Sequence, residues 1–405
     1  MSIPIPNTAG SPMLRPRADD FLHGSRAAAA GGVTTVCDFA YQTEGGSLRA
    51  ALDLATGHAT ERSCIDFSFH AVIADPSAAA IDEVAGLVDA GFPTFKFFMP
   101  RPAFQSRGGD YLRFFRRVAE SGGLAFMHCE DASIIDYCVH SLLDAGKTEL
   151  KHYPASRPRE VEISATARAM QMAAATGVPM YIVHLSCEGA LNETRAARAR
   201  GLPIYVETRP IYLYLTEERF AQGDREAAKY VGIPPLRNQH DMDVLWDALR
   251  LGDIQTVCTD HVGYGMEGKY REDDTFNTVP AGMSNLETLL PMLYSEGVGK
   301  GRITVERFVE LISTNPAKLT GLYPRKGAIA PGSDADLCIL DPAKQVTIRA
   351  EQMHSACDYD VYEGFQITGW PVMTISRGEV IFRDGEVIGA AGRGRVIPRA
   401  RFRGL

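Results

Sequence analysis

Seven short runs of β-branched and aromatic residues, separated by amphipathic or alanine-rich stretches, restrict this chain to a narrow set of architectures. They are VTTVCDF (Val33 to Phe39), FSFHAVI (Phe67 to Ile73), FPTFKFF (Phe92 to Phe98), LAFMH (Leu124 to His128), MYIVHLS (Met180 to Ser186), PIYVET (Pro203 to Thr208) and IQTVCTD (Ile254 to Asp260). Between them lie helix-like stretches. In DDFLHGSRAAAAGG, Asp19 or Asp20 can cap and Gly31 can stop the helix, and EISATARAMQMAAATG ends at Gly177. Strand and helix in strict alternation mean a parallel sheet.

A (β/α)8 TIM-type barrel needs eight strands to close, and the reading finds seven, the first of them already preceded by a helix. The expectation is a barrel without its first strand, the missing one lying at or before residue 10. Past the helical stretch of Val305 to Leu319 the pattern changes. From about Gly332, ADLCILD, KQVTIRA and VMTISRGEVIFRDGEVIG read as short strands, with a hairpin signal at Asp384 and Gly385. The expected division is a barrel over residues 1–331 and a small β-rich domain with a C-terminal tail over 332–405.

Polar residues stand where several of the apolar runs end: Lys96 in FKFF, His128 in FMHCED, His184 in IVHLS and Asp260 in VCTDH. Strands of one parallel sheet finish at a common rim, so these four side chains are expected together. Two imidazoles, a carboxylate and a lysine make a hard-to-borderline cation site. Each has an ordinary alternative. Lys96 can snorkel to the rim, the histidines can be satisfied core residues, and Asp260 can cap a helix. A charged amine between Phe95 and Phe97 is costly unless paired or modified, and two histidines at equivalent strand ends favour ligation. His261 is either a partner to the site or an exposed neighbour. Cys129, Cys187 and Cys258 read as small buried hydrophobes.

Composition removes several functions. A formal charge of -8 argues against a nucleic-acid partner, and no apolar run is long enough to cross a bilayer. The eight cysteines have no CxxC spacing, so neither a disulfide framework nor a zinc ribbon is indicated and a reducing cytoplasm is expected. MSIPIPNTAG lacks the charged and apolar regions of a secretory signal.

The segments DDFLHGSRAAAAGGVTTVCDFA, FKFFM, MHCED, IVHLSCEGAL, VETRPIYLYLT, IPPLR, CTDH, STNPAKLTGLYPRKGAIAPGSDADLCILDP and DYDVYEG, in order and over nearly the whole chain, resemble the cyclic amidohydrolases of the dihydropyrimidinase and hydantoinase family. The resemblance implies a barrel holding two divalent metals, usually zinc, bridged by a carboxylated lysine and a hydroxide. It makes Lys96 the bridging lysine, His128 and His184 ligands of one metal, and Asp260 both ligand and general base. It also implies a homo-oligomer, a tetramer or dimer, acting on a small cyclic amide or imide.

The chain departs from that family in two places. The family's first strand ends in HxH, which completes the other metal site, and no HxH occurs here; the corresponding positions are about Ile5 and Asn7. Truncation and true loss of half the site both fit this. Three protein ligands and a water can still make a single catalytic zinc site. The polar groups with which relatives read the ring amide correspond to Arg101, Ile233 and Ala281, so the substrate pocket is altered. Arg101 suits a carboxylate or other anionic substituent, with a solvent-facing arginine as the plain alternative. Two further readings stand beside the metal-dependent hydrolase. One is a non-catalytic assembly protein with an incomplete metal site, like the collapsin response mediators. The other is a Schiff-base enzyme using Lys96, in which the two histidines and Asp260 have no task.

Overall fold

The computed structural model describes residues 15–405. Seven parallel strands lie side by side in chain order: β1 (Thr35–Tyr41), β2 (Asp66–Val72), β3 (Thr94–Phe98), β4 (Leu124–His128), β5 (Met180–Ile182), β6 (Ile204–Thr208) and β7 (Thr256–Val257). Helices pack outside each crossover, the arrangement of a (β/α)8 barrel with seven of its strands among the described residues. Each strand overlaps its apolar run, β1 being displaced two residues along the chain from the expected 33–39, and two strands end well before their runs do. β5 stops at Ile182 and β7 at Val257, before His184 and Asp260. Those two residues have φ of 44° and 46°, a left-handed conformation that ends a strand and swings the next side chain off the pleat. The expected eighth strand, with the positions of Ile5 and Asn7, lies outside the described residues. Edge strands β1 and β7 both line a cavity of about 290 Å³.

Alternation along β3 explains the lysine among phenylalanines. Phe95 and Phe97 point outward onto the helix Gly108–Glu120, whose Tyr111, Phe114, Phe115 and Val118 form a stripe at helical spacing. Phe97 meets Phe115 and Phe114 with ring centroids 4.6 and 5.5 Å apart. Burying each of these rings contributes roughly 1.5–3 kcal/mol. Lys96 and Phe98, on the other face of the pleat, are thereby turned to the barrel interior.

Asp20 caps the helix Phe21–Ala30, its side chain accepting from the Leu22 and His23 amides, and Gly31 ends it. Asp19 does not cap; its carboxylate turns instead to His261, Ser355 and the Ala356 amide. The helix Arg159–Thr176 stops at Gly177 with φ 71°, and a helical run from Val305 to Thr320 stops at Gly321 with φ 80°.

The second sheet is antiparallel: β8 (Leu337–Thr347), β9 (Gln366–Ser376), β10 (Glu379–Arg383) and β11 (Glu386–Val387), ordered β11-β10-β9-β8. Its two tight hairpins have positive φ at both central residues, Arg377 and Gly378 in one, Asp384 and Gly385 in the other. The chain then returns to the barrel: the Ile397, Arg399 and Phe402 amides donate to the Phe67, Gly91 and Gly122 carbonyls. Among the described residues no helix is long and apolar enough to cross a membrane.

Candidate active site

Lys96, His128, His184 and Asp260, read from four different strand ends, all line one cavity of about 240 Å³ at the carboxyl ends of the strands. Ile233 and Ala281 line it too. Arg101 is not among the lining residues. Half-buried at the start of the helix Pro102–Ser106, it stacks its guanidinium 4.9 Å from the ring of Phe98, which does line the cavity.

Lys96 is 2% exposed and its Nζ stands 4.7 Å from the Phe98 ring centre and 5.6 Å from that of Phe39. Among the described residues it makes no ion pair. Burial pulls its pKa down, against the attraction of Asp260 and Glu207. More of the amine is therefore neutral than at a surface lysine, and the neutral amine is the form that reacts with carbon dioxide.

The two histidines meet. His128 Nδ1 lies 3.0 Å from His184 Nε2, while His128 Nε2 lies 2.8 Å from Glu130 Oε2. Burial pushes the Glu130 carboxyl up, but Arg157, 2.9 Å away, and His128 outweigh it and hold Glu130 at about 2. An ionised Glu130 must accept a proton from His128 Nε2, which leaves the Nδ1 lone pair aimed at His184. His184 Nδ1 is buried without a hydrogen-bond partner. Burial first, then His128 and Lys96, push the His184 pKa well below its ordinary value, so a neutral ring is favoured.

These features suit a divalent cation: neutral imidazoles, a carboxylate behind one of them, and an orphaned ring nitrogen. Among the described residues, however, no three His, Cys, Asp or Glu side chains come together as a metal-binding group.

Asp260 does not cap a helix. Its Oδ2 pairs with Arg209 Nη1 at 3.4 Å, and Arg209 also reaches the Thr259 carbonyl at 3.2 Å. His261 is buried: its Nε2 lies 2.7 Å from Asp19 Oδ2 and its Nδ1 accepts from the Asn285 amide at 3.1 Å. It lines the cavity and is not an exposed neighbour. Cys129 and Cys187 are buried as expected, whereas Cys258 is exposed to both cavities.

Sequence reasoning passed over Glu207, Arg209, Asp38 and His70, which also line the cavity. Asp38, His70 and Glu207 carried the same signal as Lys96, a polar residue within an apolar run, and Arg209 directly follows one. Glu207 Oε2 accepts from Tyr181 at 2.7 Å and its Oε1 from the His184 amide at 3.2 Å; burial raises its pKa. Burial likewise raises Asp38 to about 6.

Residues 17–381 match the model of the amidohydrolase family. A D-hydantoinase of Rhizobium radiobacter is 40% identical over 388 residues, 95% of this chain and 85% of its own length. A D-hydantoinase of Geobacillus stearothermophilus is 38% identical over 390 residues, 96% of this chain and 83% of its own. The crystal structure of a dihydropyrimidinase from Brevibacillus agri superimposes with a TM-score of 0.91 at 37% identity, covering 96% of this chain and 85% of that one.

Proposed function

We propose that this chain, which belongs to the amidohydrolase family, hydrolyses the C–N bond of a cyclic amide or imide with Lys96, His128, His184 and Asp260 as its working residues. The observation that carries the reading is the gathering of these four strand-end side chains on one cavity. The similarity to hydantoinases of comparable length supports it.

His128, His184 and a carboxylated Lys96 would hold a divalent cation, zinc in this reading. Such an ion supplies Lewis acidity and a lowered pKa for water. The remaining work falls to the protein. Glu130 and Arg157 fix the tautomer of His128. Arg209 orients Asp260, which accepts the proton of the attacking water and passes it to the departing nitrogen. Phe39, Phe98 and Val183 exclude bulk water, which strengthens each of these interactions.

Ile233 and Ala281 offer no side-chain hydrogen bonds, so the ring is held there by shape and by backbone groups. Arg101 lies outside the cavity lining, stacked on Phe98, and in this reading its guanidinium would meet a carboxylate or other anionic substituent. We take the working protein to be a cytoplasmic homo-oligomer, with residues 1–331 as the hydrolase barrel and 332–405 as the small β-rich domain and tail.

The test is to purify the protein, measure bound metal, and follow opening of hydantoins, dihydropyrimidines and cyclic imides before and after chelation. Turnover that disappears with the metal and returns with zinc is expected. Metal-replete protein that opens none of these rings would overturn the proposal. For Arg101, acidic and neutral ring amides are compared with Arg101→Ala: a loss confined to acidic substrates is expected, and equal losses on both would end that part.

A further inference from the structure

One buried charge lies outside the working residues and is accounted for by none of them. Lys269 ends the short helix Met266–Lys269 and is 0% exposed. Its Nζ donates to the carbonyls of Val231 at 3.0 Å, Pro280 at 2.7 Å and Gly282 at 2.6 Å. Burial pushes its pKa well below the ordinary lysine value, but three carbonyl acceptors around one nitrogen match the three donors of an ammonium, which has no acceptor. Among the described residues no carboxylate pairs with it. A lysine head group buried against three carbonyls and the Tyr264 ring, whose centre is 5.7 Å from Nζ, is an expensive way to fill space, since a methionine would fit the same volume without desolvation.

The three carbonyls belong to two loops that are distant in sequence and adjacent in space. The Gly282 amide donates to the Val231 carbonyl at 3.0 Å, the same oxygen that accepts from Lys269. Gly232, Ile233, Ala281 and Gly282, the residues next to these acceptors, all line the working cavity, and Lys269 does not. Without a cation at the knot, three carbonyl oxygens converge on one point and repel each other. The loops then separate, and the edge of the cavity they form widens.

We propose that Lys269 is a positioning residue that sets the geometry of the substrate-reading edge by clamping the 231–233 and 280–282 loops together. This rests on the reading of the cavity as the hydrolase site. Lys269 touches no reacting atom, so its removal falls on substrate binding rather than on the chemical step. In this respect it differs from Lys96, whose removal falls on the chemistry.

The test uses the full chain with its metal bound and two replacements. Lys269→Met removes all three donors, and Lys269→Gln keeps an amide that can satisfy part of the knot. With Lys269→Met, KM for ring amides is expected to rise by about tenfold or more while kcat changes by less than about threefold, with Lys269→Gln between it and the parent. Hydrogen exchange supplies a readout that does not need turnover. The Gly282 amide should exchange faster in Lys269→Met, while the helix Arg159–Thr176 keeps its protection. An unchanged KM in folded Lys269→Met would overturn the proposal. So would parallel loss of kcat, KM and protection across the barrel, or failure of both variants to fold, because each makes Lys269 a general structural residue. If the parent opens no ring amide, the hydrolase reading fails by itself, and the exchange comparison still decides whether Lys269 clamps these loops.

Discussion

Lys96 sets the sharpest expectation for a single side chain. Its amine is buried against Phe98 and Phe39 with no ion pair among the described residues, so in the fold it costs desolvation and returns little. Lys96→Met should therefore keep or raise the melting temperature of the metal-free protein while lowering kcat/KM by roughly 10³-fold or more, as loss of a proposed metal ligand should. Activity within about tenfold of the parent would remove Lys96 from the working set. Glu130 acts one step further out. Glu130→Gln keeps the shape but replaces the anion that accepts from His128 Nε2, and metal affinity should fall by about 10- to 100-fold in a competition titration with a coloured chelator. Equal affinity in both proteins would mean that the carboxylate does not tune the ligand. The residues legible in the sequence are those whose polarity contradicts an apolar run, and four of them share one cavity in the structure. That signal was applied too narrowly: Glu207 in VET, Asp38 in CDF and His70 in SFH contradict their runs equally and were read as strand body. Arg17 lines the cavity from a segment with no periodicity, and nothing local marks it.

Among the secondary elements, strand existence was legible and strand length was not. Hydrophobic runs report where a segment is covered on both faces, but His184 and Asp260 leave the strand by taking positive φ, which their residue types do not announce. Glycines announce it better, and two of them separate backbone conformation from crowding. Gly252 ends the helix Gln239–Leu251 at φ 90°, and a Cβ there would meet nothing within 4 Å. Gly321 ends the 305–320 helical run at φ 80°, and a Cβ there would stand 2.2 Å from the Ala400 carbonyl oxygen, in the tail segment whose Ala400 amide donates to Gly321. Gly252→Ala should cost about 1 kcal/mol, the left-handed penalty alone. Gly321→Ala should cost about 3 kcal/mol, since backbone must move as well. Urea titration of both variants checks the contrast, and equal losses would show that the tail yields freely.

At the scale of the whole molecule, the small sheet is tied to the barrel by charge as well as by surface. Lys326 Nζ reaches Asp66 at 2.8 Å and Asp336 at 2.6 Å, and Arg377 pairs with the same Asp66 at the start of β2. Asp19 accepts from Ser355 at 2.6 Å and from the Ala356 amide at 2.7 Å. Apart from Lys326–Asp336, these contacts join residues hundreds of positions apart and leave no local pattern, which is why the sequence suggested a division near residue 332 and no hint of these ties. One of them responds to pH. His354 Nδ1 lies 3.0 Å from the Glu287 carboxylate and its Nε2 lies 3.1 Å from the Gly385 carbonyl in the second hairpin. Both partners are acceptors, so the ring bonds both only as the imidazolium. The hydrogen bond to Glu287, with its charge, accordingly raises the His354 pKa above the ordinary 6.5. A raised value in the folded state means that the folded protein binds the extra proton. The stabilisation is then complete below 6.5 and fades as pH climbs through the higher folded value. Asp360, pushed up to about 7 by burial, slopes stability in the same direction, but it is present in parent and variant alike and cancels in their difference. His354→Gln should therefore be less stable than the parent by about 1 kcal/mol near pH ~5.5, with the gap closing toward pH ~9. Urea unfolding of both proteins across that range measures it, and a gap that stays constant or widens with rising pH would show that the latch does not depend on the imidazolium.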